Sequence, residues 1–361
     1  MTGLCGMPSV KANWLECTAG YDVGGFRLVV HVQPEAGPVE GILAPIERLL
    51  GRFRTAASEG ADTEESSAEE ASAWTLCIGR GLGRAAVAED GLHRVWEGPS
   101  PAGFHVVNSV AIGRRRCELA GIGRLDVDLR HKTASIDLLP ETEPNSVHYF
   151  LTTILCDGLT DAGHCVVHAA CLEKTIRGGT GVLLVVAPSG TGKSTTALAL
   201  TGAGWRLMGD DITVLTRTPA GVRAWGFPRF CNVRRPTLGL LPWLAELPLV
   251  PTSVAGTFAL PLEHLGDRVS TGVPAPAEPA AIVCLERPNG EGHRLLPLDR
   301  AAALMHVAEE NVQPIEGAGD DVARRSFGML AELVRTTPAF SLSAGPELDS
   351  LGAAIRRQLC L

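Results

Sequence analysis

The stretch "VVAPSGTGKSTTALAL", residues 185–200, constrains this chain more than any other. A β-branched apolar run ends at Ala187, a loop of small residues follows, and from Lys193 the pattern turns helical. Strand, small-residue loop and helix in this order are the setting in which a backbone wraps a phosphate. Glycines let N–H groups converge on the anion, and the helix N-terminus adds a favourable dipole. The nucleotide-binding residues expected from this pattern are Ser189, Gly190, Thr191, Gly192, Lys193, Ser194 and Thr195. Lys193 is placed to reach the β- and γ-phosphates, Ser194 to ligate Mg²⁺, and Thr195 to help hold the phosphates. Ala187 stands where the common pattern has its first glycine, which an alanine tolerates if it keeps an ordinary φ. The bland alternative is a Gly/Ser turn between a strand and a helix.

A second feature follows closely. "RLMGDDITVL" puts Asp210 and Asp211 side by side at the end of another apolar run. Between Lys193 and Asp210 there is room for one helix (about 194–203), a glycine-containing cap (Gly202, Gly204) and a strand, 205–209. Two carboxylates at a strand end facing a phosphate loop can divide the work, one holding Mg²⁺ through Ser194 or water and the other taking a proton from an attacking hydroxyl. The alternative is an Asp–Asp turn into the next strand.

Bulk properties remove other classes. A formal net charge of −8 argues against general nucleic-acid binding, which needs basic surface to displace counterions. The one dense basic run, Arg114–Arg115–Arg116, reads as a solvated loop or turn. Ten cysteines contain no CxxC pair, and several lie in apolar runs, such as Cys77 in "TLCIG" and Cys284 in "IVCLE". Buried free thiols in a reducing compartment fit them better than disulfides or a zinc site. The N-terminus lacks the pattern of a secretory signal, and no apolar run reaches the length of a membrane span, so the expectation is a cytoplasmic protein without a membrane partner.

The length suggests two domains, with a boundary near residue 140. Residues 1–140 read as a β-rich N-terminal domain. Its strand candidates are "FRLVVHV" (26–32), "WTLCIG" (74–79), "HRVWEG" (93–98), "FHVVNSVAIG" (104–113), "CELAGIG" (117–123), "RLDVDLR" (124–130) and "TASIDLL" (133–139). The small, acidic stretch 54–73 reads as a mobile loop. In "NSVHYFLTTILCDGLTDAG" (145–163) the period becomes helical, with Asn145 or Ser146 as N-cap. Beyond it, strands "HCVVHAACLEK" (164–174), "GVLLVVA" (181–187), "WRLMG" (205–209), "ITVLTR" (212–217) and "AAIVCLER" (280–287) alternate with helices, as in an α/β domain. The Pro-rich segment 234–256 reads as an excursion from the core, and the C-terminal part as helical.

The run "HAACLEK…GVLLVVAPSGTGKSTTALALTGAGWRLMGDDITVL" resembles the HPr kinase/phosphorylase family, bacterial P-loop kinases that phosphorylate serine on a small protein. The likeness covers about residues 145–217 and carries the rest in outline. It implies an α/β fold: a P-loop kinase domain of HPr-kinase-like type over residues 141–361, preceded by the smaller β-rich domain. His168 in "VVHAACL" takes the position of the family's histidine, with Ala169 replacing the glycine after it, and Lys193, Ser194, Asp210 and Asp211 match directly. Carried over, the resemblance makes Asp210, Asp211 and His168 catalytic: one aspartate the general base, the other, with Ser194, a holder of Mg²⁺, and His168 a group that orients or stabilises the phosphate. A buried strand histidine is the alternative for His168, and His164 is given no role.

The family's later Glu-Ile-Arg-Gly-like segment has only a loose echo in "CNVRRPTLGL" (231–240), with Asn232 where the acid would stand, which puts the reverse phosphorylase activity in doubt. "GFPRF" (226–230) looks more like diverged relatives among peptide-tailoring kinases, including those acting on lasso-peptide precursors. Arg229, Arg234 or Arg235 is then a candidate to neutralise the transferring phosphoryl group.

The expected function is an ATP- and Mg²⁺-dependent kinase acting on a Ser or Thr hydroxyl of a small protein or ribosomal peptide, with the β-rich domain available to recognise that partner. Family members are often homo-oligomers. A small-molecule kinase and a nucleotide-gated binding module are the alternatives.

Overall fold

Alternation along "FRLVVHV" builds a strand with one buried face, Phe26, Leu28, Val30 and Val32 pointing inward. In the computed structural model it is β2 (Phe26–Val32), paired antiparallel with β1 (Thr18–Val23). The structure describes residues 18–33, 36, 38–55, 73–80, 91–100, 103–176, 179–252, 256–270, 273–287, 290, 292–311 and 320–359. The protein is mixed α/β with several sheets. Among the described residues no helix is long and apolar enough to cross a membrane.

The chain divides into two units, Met1–Ala162 and Gly163–Leu361. The first contains α1 (Val39–Leu50), β3 (Arg54–Thr55), β4 (Trp74–Arg80), β5 (His93–Pro99), β6 (His105–Ala111), β7 (Arg114–Leu119), β8 (Gly123–Asp128), β9 (Thr133–Leu138) and α2 (His148–Asp161). Its nine-stranded sheet has the order β3-β1-β2-β4-β9-β8-β7-β6-β5, with β2, β4 and β9 mutually parallel and β5 to β9 an antiparallel meander.

The division therefore falls after Ala162 rather than near residue 140, because α2 packs with the N-terminal sheet. Gly158 makes room for Phe26, whose ring atoms lie 2.0–2.4 Å from where a Cβ would stand. Asp161 accepts a bond from Trp74 Nε1 at 3.0 Å and pairs with Lys132 at 3.1 Å. A short 3₁₀ turn, Pro144–Val147, enters α2, so its N-cap is Val147 and not Asn145 or Ser146. The proposed mobile loop at 54–73 lies outside the described residues except at Arg54–Thr55, the short strand β3, and Ala73.

Two further corrections concern this unit. The unit is not only strands: it contains the helix α1, whose Ile42, Ile46 and Leu50 recur every fourth residue and are buried. Arg114–Arg116 is not a solvated turn but the first half of β7. Each arginine faces an aspartate: Arg114 to Asp128 at 4.0 Å, Arg115 to Asp157 at 3.0 Å, and Arg116, itself buried, to Asp126 at 2.6 Å.

Burial pushes the Asp157 carboxyl up to about 6 despite the Arg115 charge beside it. Between about pH 4, where an unfolded aspartate titrates, and about pH 6 the native state holds a proton that the unfolded chain has released. Stability from this group is thus present at low pH and lost as pH rises through about 6, a change of roughly 2–3 kcal/mol. Asp157→Asn is expected to remove that slope. Urea titrations of both proteins from pH 4 to 7 check it, and a difference in unfolding free energy that stays constant with pH contradicts it.

The second unit holds β10 (Cys165–Val167), β11 (Ala169–Ile176), β12 (Gly179–Val186), α3 (Lys193–Gly202), β13 (Arg206–Gly209), β14 (Thr213–Thr218), β15 (Gly221–Gly226), β16 (Cys231–Arg234), α4 (Arg235–Leu240), β17 (Val250–Pro251), β18 (Thr257–Leu260), β19 (Glu278–Leu285), β20 (Arg294–Leu298), α5 (Arg300–Asn311), α6 (Asp320–Thr336), β21 (Ala339–Ser343) and α7 (Leu351–Leu359). Its main sheet has the order β13-β11-β12-β19-β21-β20, with β12, β19 and β21 parallel and β11 antiparallel to both of its neighbours. Two three-stranded sheets, β10-β14-β15 and β16-β18-β17, complete the unit.

Here the C-terminal part is not wholly helical, since β21 lies inside the main sheet with β20 at its edge. The Pro-rich segment is not an excursion either. Leu241 and Leu244 are buried in the same apolar cluster as Leu198, Leu200 and Trp205. Among the described cysteines, seven are free thiols, and Cys165, Cys171, Cys231 and Cys284 are buried.

Candidate active site

The loop after β12 closes with a turn, Thr191 N–H donating to Pro188 O at 3.1 Å. Gly190 (φ 83°) and Gly192 (φ 109°) adopt the left-handed conformation that L side chains rarely enter, and a Cβ at either would project into open space. Ala187 keeps a negative φ, so the missing first glycine is accommodated. Gly192 is the N-cap of α3 and supplies no side-chain acceptor, so the first-turn N–H groups of the helix point into the loop. Ser189 and Gly190 are exposed, while Lys193 is buried to 8% exposure.

At its other end α3 stops as the sequence indicated. Gly204 (φ 86°) donates to Thr201 O and Trp205 N–H to Leu200 O, both at 3.1 Å, which is a Schellman cap. Lys174 and Arg356 place cations on the last carbonyls, Gly204 O and Ala203 O. The reversal drives Trp205 into the core and starts β13, which delivers Asp210 and Asp211 opposite the start of α3.

Asp210 is buried. One oxygen, Oδ2, accepts from Ser194 Oγ at 2.8 Å, and the other, Oδ1, has no hydrogen-bond partner among the described residues. Burial raises its carboxyl to about 6, against the opposing Lys193 charge and Ser194 hydrogen bond. Asp211 is half-buried and surrounded by cations. Its Oδ1 lies 2.8 Å from His168 Nε2 and 3.0 Å from Lys193 Nζ, and its Oδ2 lies 3.7 Å from an Arg229 nitrogen. Burial alone would raise this carboxyl, but the His168 hydrogen bond and the Lys193 charge outweigh it and hold it well below the usual carboxylate range. Two neighbouring carboxylates are thus pushed in opposite directions.

The expected strand 164–174 breaks at His168. β10 pairs with β14, β11 with β12 and β13, and His168 stands between the two sheets. His168 is therefore not a buried strand histidine. His164 is bonded to Thr216 at 3.0 Å. Of the three candidate arginines, Arg229 reaches Asp211, its guanidinium stacked 4.8 Å over Phe230. Arg234 and Arg235 are exposed at the junction of β16 and α4.

The structure brings Lys193, Ser194, Asp210, Asp211 and His168 together. Two contacts carried no sequence signal: Thr237, whose Oγ1 lies 2.9 Å from Thr195 Oγ1, and Asn311, whose Oδ1 accepts from the His168 N–H at 2.5 Å. No known family profile matches this chain, and no curated protein matches it.

The Asp pair depends on two glycines. A Cβ on Gly226 would stand 2.5 Å from Gly209 N and 2.6 Å from the Met208 carbonyl carbon, and one on Gly209 would stand 2.6 Å from Phe227 O. These are backbone atoms that cannot step aside. Gly226→Ala is expected to cost about 2–3 kcal/mol by forcing β13 away from β15. Denaturant midpoints test this, and a loss under about 0.5 kcal/mol would show that the strands separate freely.

Proposed function

We propose that this chain is an ATP- and Mg²⁺-dependent P-loop kinase of the HPr-kinase-like type, which passes the γ-phosphate to a Ser or Thr hydroxyl of a small protein or ribosomally made peptide. The observation that carries the reading is the Asp211 carboxylate held among His168, Lys193 and Arg229 at the start of α3. A loop that only binds nucleotide needs the lysine and the serine, and has no use for that carboxylate.

Asp210 and Ser194 suit Mg²⁺: a buried carboxylate oxygen without a hydrogen-bond partner among the described residues and a hydroxyl are both hard oxygen donors. Among the described residues no group of three or more His, Cys, Asp or Glu forms a metal cage. Mg²⁺ held through phosphates needs none, taking one or two protein ligands. Held there by Asp210 and Ser194, the ion would supply positive charge to offset that of the phosphates.

The remaining steps belong to the chain. The N–H groups of the loop and of the first turn of α3 hold the phosphates, and Lys193 neutralises the β- and γ-oxygens. Asp211 accepts a hydrogen bond from the acceptor hydroxyl and takes its proton as the new O–P bond forms and ADP leaves. His168 fixes the carboxylate, and Arg229 balances charge on the transferring phosphoryl group. Once Lys193 serves the phosphates, Asp211 has one fewer cation beside it and becomes more basic.

The test follows the γ-phosphate. The pure protein is incubated with γ-labelled ATP, Mg²⁺ and a desalted extract of its host, and proteins, peptides and metabolites are separated. Label in a small protein or peptide supports the reading and delivers the acceptor. Label in a metabolite alone makes the protein a small-molecule kinase, and tight ATP binding with no label anywhere makes it a nucleotide-gated binding module.

A further inference from the structure

His168 lies in a part of the backbone that neither sheet secures. Val167 is the last residue of β10 paired with β14, and Ala169 is the first of β11 paired with β12, so His168 falls outside both ladders. Its N–H is taken by a side chain 143 residues away, Asn311 Oδ1 at 2.5 Å. Asn311 is the last residue of α5, a helix packed on β10, β19 and β21.

The amide is used at both ends. Asn311 Nδ2 donates to Val307 O, one turn back on the same helix, at 2.7 Å. A backbone N–H can only donate and a backbone carbonyl can only accept, so both partners dictate the same orientation of the amide. Turning it over would set an NH₂ against an N–H and an oxygen against an oxygen. The side chain is thus a two-point strut from the end of α5 to the kink that aims the His168 ring at Asp211, 2.8 Å away.

We infer that Asn311 is a positioning residue of the active site: by holding the strand break at His168, it sets the imidazole against the Asp211 carboxylate. It touches neither Asp211 nor the phosphate loop in any described contact, and acts through His168. The kinetic consequence rests on the kinase reading above, while the geometric one does not. Reacting groups are sensitive to sub-ångström placement, and an error of about 1 Å costs on the order of 100-fold in rate.

Two variants separate the possibilities. Asn311→Leu keeps the bulk and loses the acceptor, while Asn311→Asp keeps an acceptor for the His168 N–H. The first readout is the histidine ring NMR spectrum of the full chain with labelled histidine, the His168 signals being assigned by their loss in His168→Gln. In the wild type, Asp211→Asn is expected to shift those signals. In Asn311→Leu the same change should leave them still, and in Asn311→Asp, which keeps the acceptor but loses the Val307 contact, the response should shrink less than in Asn311→Leu.

The second readout is transfer of the γ-phosphate from MgATP to water. Asn311→Leu should lower kcat about 10- to 100-fold with little change in KM for ATP, and should cost almost nothing further in a His168→Ala background. A His168 ring that still answers to Asp211 in Asn311→Leu overturns the inference, as does an equal loss of kcat with and without His168. If Asn311→Leu does not fold, Asn311→Ala, which also lacks the acceptor, takes its place: a ring that still answers to Asp211 there overturns the inference equally. A wild type that transfers no phosphate to water or to any acceptor removes the kinase reading, and the ring coupling still decides the role of Asn311.

Discussion

Asp211→Asn is expected to lower γ-phosphate transfer by about three orders of magnitude while MgATP continues to bind. The amide fills the same space but cannot accept the proton of an acceptor hydroxyl. It also cannot balance His168, Lys193 and Arg229, which the carboxylate holds at 2.8, 3.0 and 3.7 Å. Binding should not suffer, because Lys193 Nζ is released from an ion pair with which the phosphates must otherwise compete. Affinity for MgATP is therefore predicted to stay equal or to tighten by up to about tenfold, the scale of one partly buried charge contact. Single-turnover transfer of labelled phosphate and calorimetric titration with MgATP read the two quantities separately. Parallel loss of both would make Asp211 a structural or metal-holding residue, and the base would have to be sought elsewhere.

What is legible in the sequence is what residues a few positions apart decide between themselves. The alternation in β2, the glycines at positive φ in the loop before α3 and Gly204 at the C-terminal cap of α3 each act within a few residues. The juxtaposition of Asp210 with Ser194 followed from one helix and one strand of known lengths. Features set by distant partners carry no such local signal. Arg114–Arg116 looks solvated until Asp126, Asp128 and Asp157 are folded opposite it. β21 is a five-residue strand, "AFSLS", between helices, and its place inside the sheet comes from β19 and β20 on either side. The break at His168 is invisible in "VVHAACL" because apolar residues continue through it. Two different sheets compete for the segment, and an asparagine far along the chain fixes the dividing point.

Asp210→Asn should lose transfer as completely as Asp211→Asn, by a different route and with the opposite mark on the fold. Asp210 is the carboxylate whose Oδ1 has no hydrogen-bond partner among the described residues, and the protein bears the cost of burying it. Its carboxyl sits near 6, so between about pH 4 and pH 6 the native state holds a proton the unfolded chain has given up. Stability from this group is present below the unfolded value and lost as pH rises through about 6. With neither Mg²⁺ nor nucleotide added, Asp210→Asn should gain on the wild type by roughly 2–3 kcal/mol on going from pH 4 to pH 7.5. An amide that left Nδ2 unpaired in place of Oδ1 would offset part of this by an amount that does not vary with pH. The functional loss should appear as a loss of Mg²⁺ dependence: ATP affinities with and without Mg²⁺ should converge in Asp210→Asn and remain apart in Asp211→Asn. The proposed division of labour rests on the opposite surroundings of the two carboxylates, one raised by burial beside Ser194 and the other lowered beside His168 and Lys193. If both variants kept the Mg²⁺ dependence, or both lost it, that division of labour would be wrong even with the phosphate loop intact.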